Sequence, residues 1–100
     1  MFFFNRTNIN DAVEEWRTME DAILIDVREA NEFHAGHIPG AINVPLSGIE
    51  MISIPKYRQV FVYCLRGTRS RQAARKMKKM GYTKVKSIGG ITGYTGRVEK

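Results

Sequence analysis

The chain has 100 residues, 43% of them hydrophobic, and a formal net charge of +6 at pH 7. This length suits one domain, residues 1–100, and the apolar fraction is large enough for a core without covalent cross-links. The single cysteine, Cys64, excludes an internal disulfide framework and a site built from several cysteines. A net positive charge suits binding to nucleic acid, acidic lipid or small anions. The positions of the charges must distinguish among these partners.

The chain begins MFFFNRTN, with three phenylalanines before polar residues. This apolar run is too short for a signal peptide or a membrane span, and we therefore expect a cytoplasmic protein whose thiol stays reduced. Residues 2–4 suit a short first strand. A helix with Asn8 or Asn10 as its cap is expected next. Its apolar face repeats at i, i+3, i+4 and i+7 and consists of Ile9, Ala12, Val13 and Trp16.

Four further apolar segments predict strands. Residues 22–27 and 60–63 are nearly continuous apolar runs, which are typical of strands covered on both faces. Residues 41–44 and 85–88 are shorter candidates. Because helical patterns separate these segments, the sequence predicts a parallel, doubly wound α/β sheet.

Residues 70–80 predict a helix that Gly81 ends. Its apolar face consists of Ala73, Ala74, Met77 and Met80. The rest of its surface is basic and carries Arg71, Arg75, Lys76, Lys78 and Lys79. This basic surface has three interpretations: it binds RNA, it binds an acidic partner protein, or it is a solvated helix face without a partner. No aromatic residues alternate with the charges, which weighs against nucleic acid.

Cys64 stands at the carboxyl end of a predicted strand, where ligands bind in sheets of this kind. Residues 65–69 connect it to the basic helix, and N–H groups at a helix start lack partners within the helix and attract negative charge. Gly67 permits a tight turn, while Arg66 and Arg69 add positive charge. These features favour a thiolate and predict a nucleophilic cysteine that handles oxyanions or carries an anionic adduct. The alternative is a buried structural cysteine.

Four separated segments resemble, in the same order, the signature of the rhodanese-like sulfurtransferase family. They are LIDVR at 24–28 with Glu32-Phe33, GHIPGAINVP at 36–45, Cys64-x-x-x-x-Arg69-Ser70, and Gly89-Gly90 followed by an aromatic residue. The resemblance covers residues 8–99, and Tyr94 stands where the family often has tryptophan. It implies a rhodanese-like α/β fold with a central, mostly parallel five-stranded sheet and helices on both faces.

The resemblance also implies a thiosulfate sulfurtransferase with Cys64 as its catalytic nucleophile. The thiolate takes the outer sulfur from thiosulfate or a similar small anionic donor and becomes a persulfide, which a thiol, a protein acceptor or cyanide then discharges. The loop that cradles this group consists of Leu65, Arg66, Gly67, Thr68, Arg69 and Ser70. No metal or organic cofactor is needed, and neither a nucleic-acid nor a membrane partner is expected.

Several charged residues have two interpretations. Arg69 either stabilises charge on the sulfur or pairs with Asp26 or Glu32, and the two roles are compatible. We expect Asp26, Arg28 and Glu32 to form a supporting ion-pair network beneath the loop, because buried charges need partners. Arg66 either contacts the substrate or is solvated.

His34 and His37 raise the possibility of a zinc site with Cys64. The neighbouring glycines and proline explain that segment as a turn, which makes a metal site the weaker interpretation.

Two rival functions remain open. A persulfide carrier or regulatory rhodanese-like module would form the same Cys64 adduct without turning over. A small phosphatase or arsenate reductase is disfavoured, since the loop from Cys64 to Arg69 has six residues and the related phosphatases carry one more.

Overall fold

The computed structural model describes residues 8–100. Its helices and strands are α1 (Ile9–Arg17), β1 (Ile23–Asp26), α2 (Ala30–Ala35), β2 (Ile42–Asn43), β3 (Gln59–Cys64), α3 (Thr68–Lys79) and β4 (Lys84–Gly90), with 3-10 turns at Leu46–Met51 and Ile91–Gly93. The strands form one parallel sheet in the order β2-β1-β3-β4, which confirms the predicted α/β class. The described residues thus hold four of the five predicted strands, and the fifth, at residues 2–4, lies outside them.

Helix α1 forms where the apolar spacing predicts it. The Asn8 side chain accepts a hydrogen bond from the Asp11 N–H at 3.0 Å, which satisfies one of the free donors at the helix start. Ile9, Ala12 and Val13 are buried against the sheet.

Within residues 8–100, none of the helices has the length and apolar character that a membrane span needs.

Side chains alternate between the two faces of the sheet along β3. Phe61 and Tyr63 pack in the layer that contains α1, whereas Val62 and Cys64 pack in the layer that contains α3. Each fully buried large apolar side chain stabilises the fold by about 1.5–3 kcal/mol, so both layers hold the sheet firmly. The same alternation directs the cysteine sulfur towards α3.

The four parallel strands end at a common edge of the sheet, with Asp26, Asn43, Cys64 and Gly90 as their last residues. Pairing between β3 and β4 becomes irregular after Val62, and this shift sets Gly90 opposite Cys64. The start of α3 and the end of β4 therefore meet around the cysteine.

Candidate active site

The Cys64 side chain lies beneath a small cavity at the carboxyl edge of the sheet. The residue is only 1% exposed, and a cavity of about 200 Å³ opens above it. The cavity is lined by Cys64, Leu65, Arg66, Thr68 and Arg69. A small group attached to the sulfur would therefore lie inside the loop.

Two backbone N–H groups point at the Cys64 sulfur. The Gly67 N–H donates to Sγ at 2.9 Å and the Ser70 N–H at 3.3 Å. Gly67 has φ +108°, a left-handed conformation that glycine adopts at little cost, and this turns the loop back over the sulfur. Helix α3 begins at Thr68 rather than near Ser70 as predicted, because the sulfur itself accepts an N–H of its first turn.

The Ser70 hydroxyl is buried beside the sulfur and joins the loop to β4. Its Oγ lies 3.0 Å from the Gly67 carbonyl oxygen, 2.8 Å from Ser87 Oγ and 3.4 Å from the Gly89 carbonyl oxygen. Sequence reasoning did not single out Ser87, since nothing in the pattern of β4 separates it from any other strand serine. It comes close to Ser70 because β4 lies beside α3.

The pKa of the Cys64 thiol results from opposing effects. Burial alone raises it, since removal from water disfavours the charged form. The donors around the sulfur, first the Ser70 N–H and hydroxyl and then the N–H groups of Gly67 and Arg66, favour the thiolate and bring its pKa below the ordinary value. The cradle therefore favours the nucleophilic form of the sulfur.

Arg69 is held by a bidentate ion pair with Glu32. Nη1 lies 2.8 Å from Oε2, and Nη2 lies 3.1 Å from Oε1. The same carboxylate accepts the Glu29 N–H at 3.1 Å within the capping box of α2, so one side chain connects α2 to the loop. Hydrogen bonding from Arg69 lowers the Glu32 pKa to about 2, against the opposing effect of burial.

Asp26 does not pair with Arg69, so of the two partners predicted for Arg69 only Glu32 is correct. Its carboxylate binds Arg28 instead, with Nη2 2.7 Å from Oδ2 and both carboxylate oxygens 3.0 Å from Nε. Arg28 also donates to the Gly36 carbonyl oxygen at 2.7 Å. The predicted network is thus two separate pairs: one buried at the end of β1, and one partly exposed at the loop.

The outer wall of the loop contacts the segment after β4. Thr92 donates to the Leu65 carbonyl oxygen through its N–H and its hydroxyl, both at 3.2 Å. A methyl group added at Gly90 would overlap that same carbonyl and lie 2.5 Å from the Cα of Arg66. Gly90, the second glycine of the pair noted in the sequence, thus has a steric reason, because the backbone of β4 packs on the backbone of the loop here. Gly89 meets nothing within 4 Å but has φ +102°, which favours glycine.

Four other side chains noted in the sequence lie outside this hydrogen-bonded centre. Arg66 is exposed at the rim of the cavity. The His37 ring stacks on Phe33 with centroids 3.7 Å apart, and its Nδ1 lies 2.9 Å from the Phe33 carbonyl oxygen, while His34 meets the same ring edge-on. Tyr94 is partly buried against the α1 layer, and its hydroxyl donates to the Arg97 carbonyl oxygen.

A parallel sheet whose cysteine is cradled between a strand and the next helix has the architecture of a rhodanese-like α/β domain. A family model described as Rhodanese-like domain matches residues 10–97. The chain belongs to this family.

Three similar proteins show its place in that family. Thiosulfate sulfurtransferase PspE of Escherichia coli K12 is 37% identical over 84 residues, which cover 80% of this chain and 73% of PspE. "Putative sulfur carrier protein YrkF" of Bacillus subtilis 168 is 36% identical over 83 residues, and these cover 80% of this chain but only 45% of YrkF. A solved structure described as rhodanese with anions from E. coli has a TM-score of 0.72 and 34% identity, and covers 79% of this chain and 98% of that one.

Proposed function

We propose that the protein is a sulfurtransferase that moves a sulfane sulfur from thiosulfate, or a similar small anionic donor, to a thiol or cyanide through a Cys64 persulfide. The observation that carries this proposal is the pair of N–H groups, from Gly67 and Ser70, that point at Cys64 Sγ. They favour the thiolate before the reaction and an anionic persulfide after it. The similarity to PspE, named a thiosulfate sulfurtransferase, supports the choice of donor.

In the first half-reaction the Cys64 thiolate attacks the outer sulfur of thiosulfate. A new S–S bond forms to Sγ, the S–S bond of thiosulfate breaks, and sulfite leaves with the bonding electron pair. Arg66 and Arg69 both border the cavity. Arg66 supplies positive charge for an anionic donor, whereas Arg69 is paired with Glu32 and holds the loop. The cradle lowers the pKa of the attacking thiol, and no general base is required once that thiol is ionised.

In the second half-reaction an acceptor nucleophile attacks the outer sulfur of the persulfide. The Cys64–sulfur bond breaks, the thiolate returns, and the acceptor leaves as thiocyanate or as a new persulfide. The six-residue loop from Cys64 to Arg69 suits one extra sulfur atom. The same size argument stands against the phosphatase or arsenate reductase alternative.

The similarity to YrkF favours one second candidate, a sulfur carrier that is loaded and discharged without appreciable turnover. Both candidates use the same Cys64 adduct, so adduct formation and turnover must be measured separately.

Intact-mass analysis after exposure to thiosulfate tests the adduct. We expect the wild-type chain to gain the mass of one sulfur atom and the Cys64→Ser variant to gain none. Steady-state thiocyanate formation with cyanide in excess then tests turnover, and a single stoichiometric burst would favour the carrier. An unmodified wild-type chain would reject both candidates.

A further inference from the structure

Ser87 faces the start of α3 from the middle of β4. Along this strand Val85 packs in the layer that contains α3, and Ser87, two positions further on, points to the same side of the sheet. The strand pairing sets Ser87 opposite Val62, which lies two residues before Cys64. A half-buried hydroxyl of β4 thus lies next to the first turn of the helix that follows the active-site loop.

Within residues 8–100, the one side-chain hydrogen bond of Ser87 joins it to Ser70, with 2.8 Å between the two Oγ atoms. Ser70 is fully buried, and its own proton has two carbonyl acceptors nearby, those of Gly67 at 3.0 Å and Gly89 at 3.4 Å. Neither carbonyl can donate a hydrogen bond in return. Ser87 is therefore the one donor that the described residues offer to Ser70 Oγ.

The number of hydrogen bonds favours donation from Ser87 to Ser70. In that direction the Ser70 proton stays free for the loop, and two hydrogen bonds form in series. If Ser70 donates to Ser87 instead, its hydroxyl turns away from the loop and one of these bonds is lost. A negative charge on Cys64 acts in the same direction, because it attracts the proton of the neighbouring Ser70 hydroxyl.

This chain of hydroxyl groups leads to the residues that hold the sulfur. The N–H groups of Gly67 and Ser70 donate to Cys64 Sγ, and the Gly67 carbonyl and the Ser70 hydroxyl bond each other. Hydrogen bonds in series polarise one another in a low-dielectric interior. A donor behind Ser70 therefore strengthens the side of the cradle that faces a thiolate.

We propose that Ser87 is a positioning residue: its hydroxyl donates to Ser70 and so turns the Ser70 proton towards the loop and the Cys64 sulfur. Ser87 does not line the Cys64 cavity and acts only through Ser70. Its importance for sulfur transfer rests on the proposed function, whereas its effect on the thiolate does not.

The test measures the pH profile of Cys64 alkylation by iodoacetamide in the full-length protein. Ser87→Thr and Ser87→Val form a matched pair, because the two new side chains have nearly the same shape, suit a strand, and differ in the hydroxyl. Each is made in the wild-type chain and in Ser70→Ala. Ser53→Ala, at an exposed position, controls for the loss of a hydroxyl elsewhere. Circular dichroism and urea unfolding check that each variant folds.

We expect the alkylation midpoint of Ser87→Val to lie at higher pH than that of Ser87→Thr, because the valine variant lacks the donor to Ser70. One pH unit below the wild-type midpoint, alkylation of Ser87→Val should be slower by about twofold or more. In the Ser70→Ala background the two variants should share one midpoint, since the hydroxyl through which Ser87 acts is gone. Persulfide formation from thiosulfate should follow the same order of rates.

Equal midpoints of Ser87→Thr and Ser87→Val in the wild-type chain would overturn the proposal. A lower midpoint for Ser87→Val would also overturn it, since Ser87 would then accept the Ser70 proton. So would a difference that persists in Ser70→Ala, because Ser87 would then act without Ser70. Wild-type protein that forms no persulfide would reject the proposed function alone, because alkylation needs no sulfur donor.

Discussion

Gly90, the last residue of β4, packs its Cα directly against the Leu65 carbonyl at the start of the active-site loop. The contact exists because the pairing of β3 with β4 shifts after Val62 and brings Gly90 opposite Cys64. The position of the loop thus depends on a residue that lies 25 positions further along the chain and bears no reactive group.

Replacing Gly90 with alanine should displace the loop. The new methyl group has no space between Leu65 and Arg66, and overpacking of this kind costs about 1–3 kcal/mol. We expect persulfide formation from thiosulfate to slow by about tenfold or more, measured by stopped reactions and intact mass. Gly48→Ala is the control, because a Cβ there meets nothing within 4 Å. Equal rates in the two variants would contradict the steric role.

Ser70→Ala should raise the pKa of the Cys64 thiol. The substitution removes a hydroxyl beside the sulfur that lowers the pKa of the thiol, but it leaves the two N–H groups in place. We expect the pH midpoint of alkylation by iodoacetamide to move upward, with the circular dichroism spectrum unchanged. Ser53→Ala, at an exposed position, is the control. If the Ser70→Ala midpoint equals that of wild type, the hydroxyl does not stabilise the thiolate.

The stability that the Glu32–Arg69 ion pair contributes should depend on pH. Because the folded-state pKa of Glu32 is about 2, below its unfolded value, its contribution to stability is present above pH 5 and is lost as the pH falls towards 2. The pair is partly exposed, so we expect Glu32→Gln to lower the free energy of unfolding by about 1–2 kcal/mol at pH 7, with solvent screening included.

Urea unfolding of wild type and Glu32→Gln between pH 7 and 2 measures this difference. The two curves should converge at the acid end, because a protonated glutamate resembles glutamine. The Glu50→Gln variant, at an exposed position outside α2, controls for the loss of one carboxylate charge. A difference that stays constant with pH would show that the ion pair does not supply the stability.

The Asp26–Arg28 pair should be far more sensitive to the loss of one partner. Asp26 is fully buried and the Arg28 side chain is 6% exposed, so Asp26→Ala leaves a cation that water barely reaches. We expect a loss of about 3–5 kcal/mol in the free energy of unfolding. Asp26→Leu/Arg28→Met should cost clearly less, because it removes both charges. A double variant as unstable as the single one would contradict this account.

Local sequence predicted much of the site. The apolar run 60–63 placed Cys64 at a strand end, and Gly67 marked the turn over it, because strand patterning and glycine conformation depend on near neighbours. The sequence predicts the start of α3 near Ser70 and not at Thr68, because an N–H of its first turn is satisfied by the Cys64 side chain from the preceding strand. That cap is a tertiary contact, and the spacing of apolar residues does not predict it.

Local patterns in the chain are enough to predict the α/β class, the strand-end position of the single thiol and a loop of positive charge and free N–H groups around it. The folded chain was needed to show that Arg69 pairs with Glu32 and not with Asp26, that Ser87 meets Ser70, and that Gly90 supports Leu65. Periodicity and turn chemistry act over only a few residues. These pairings span 17 to 37 positions and depend on which strands are neighbours and in which register they pair.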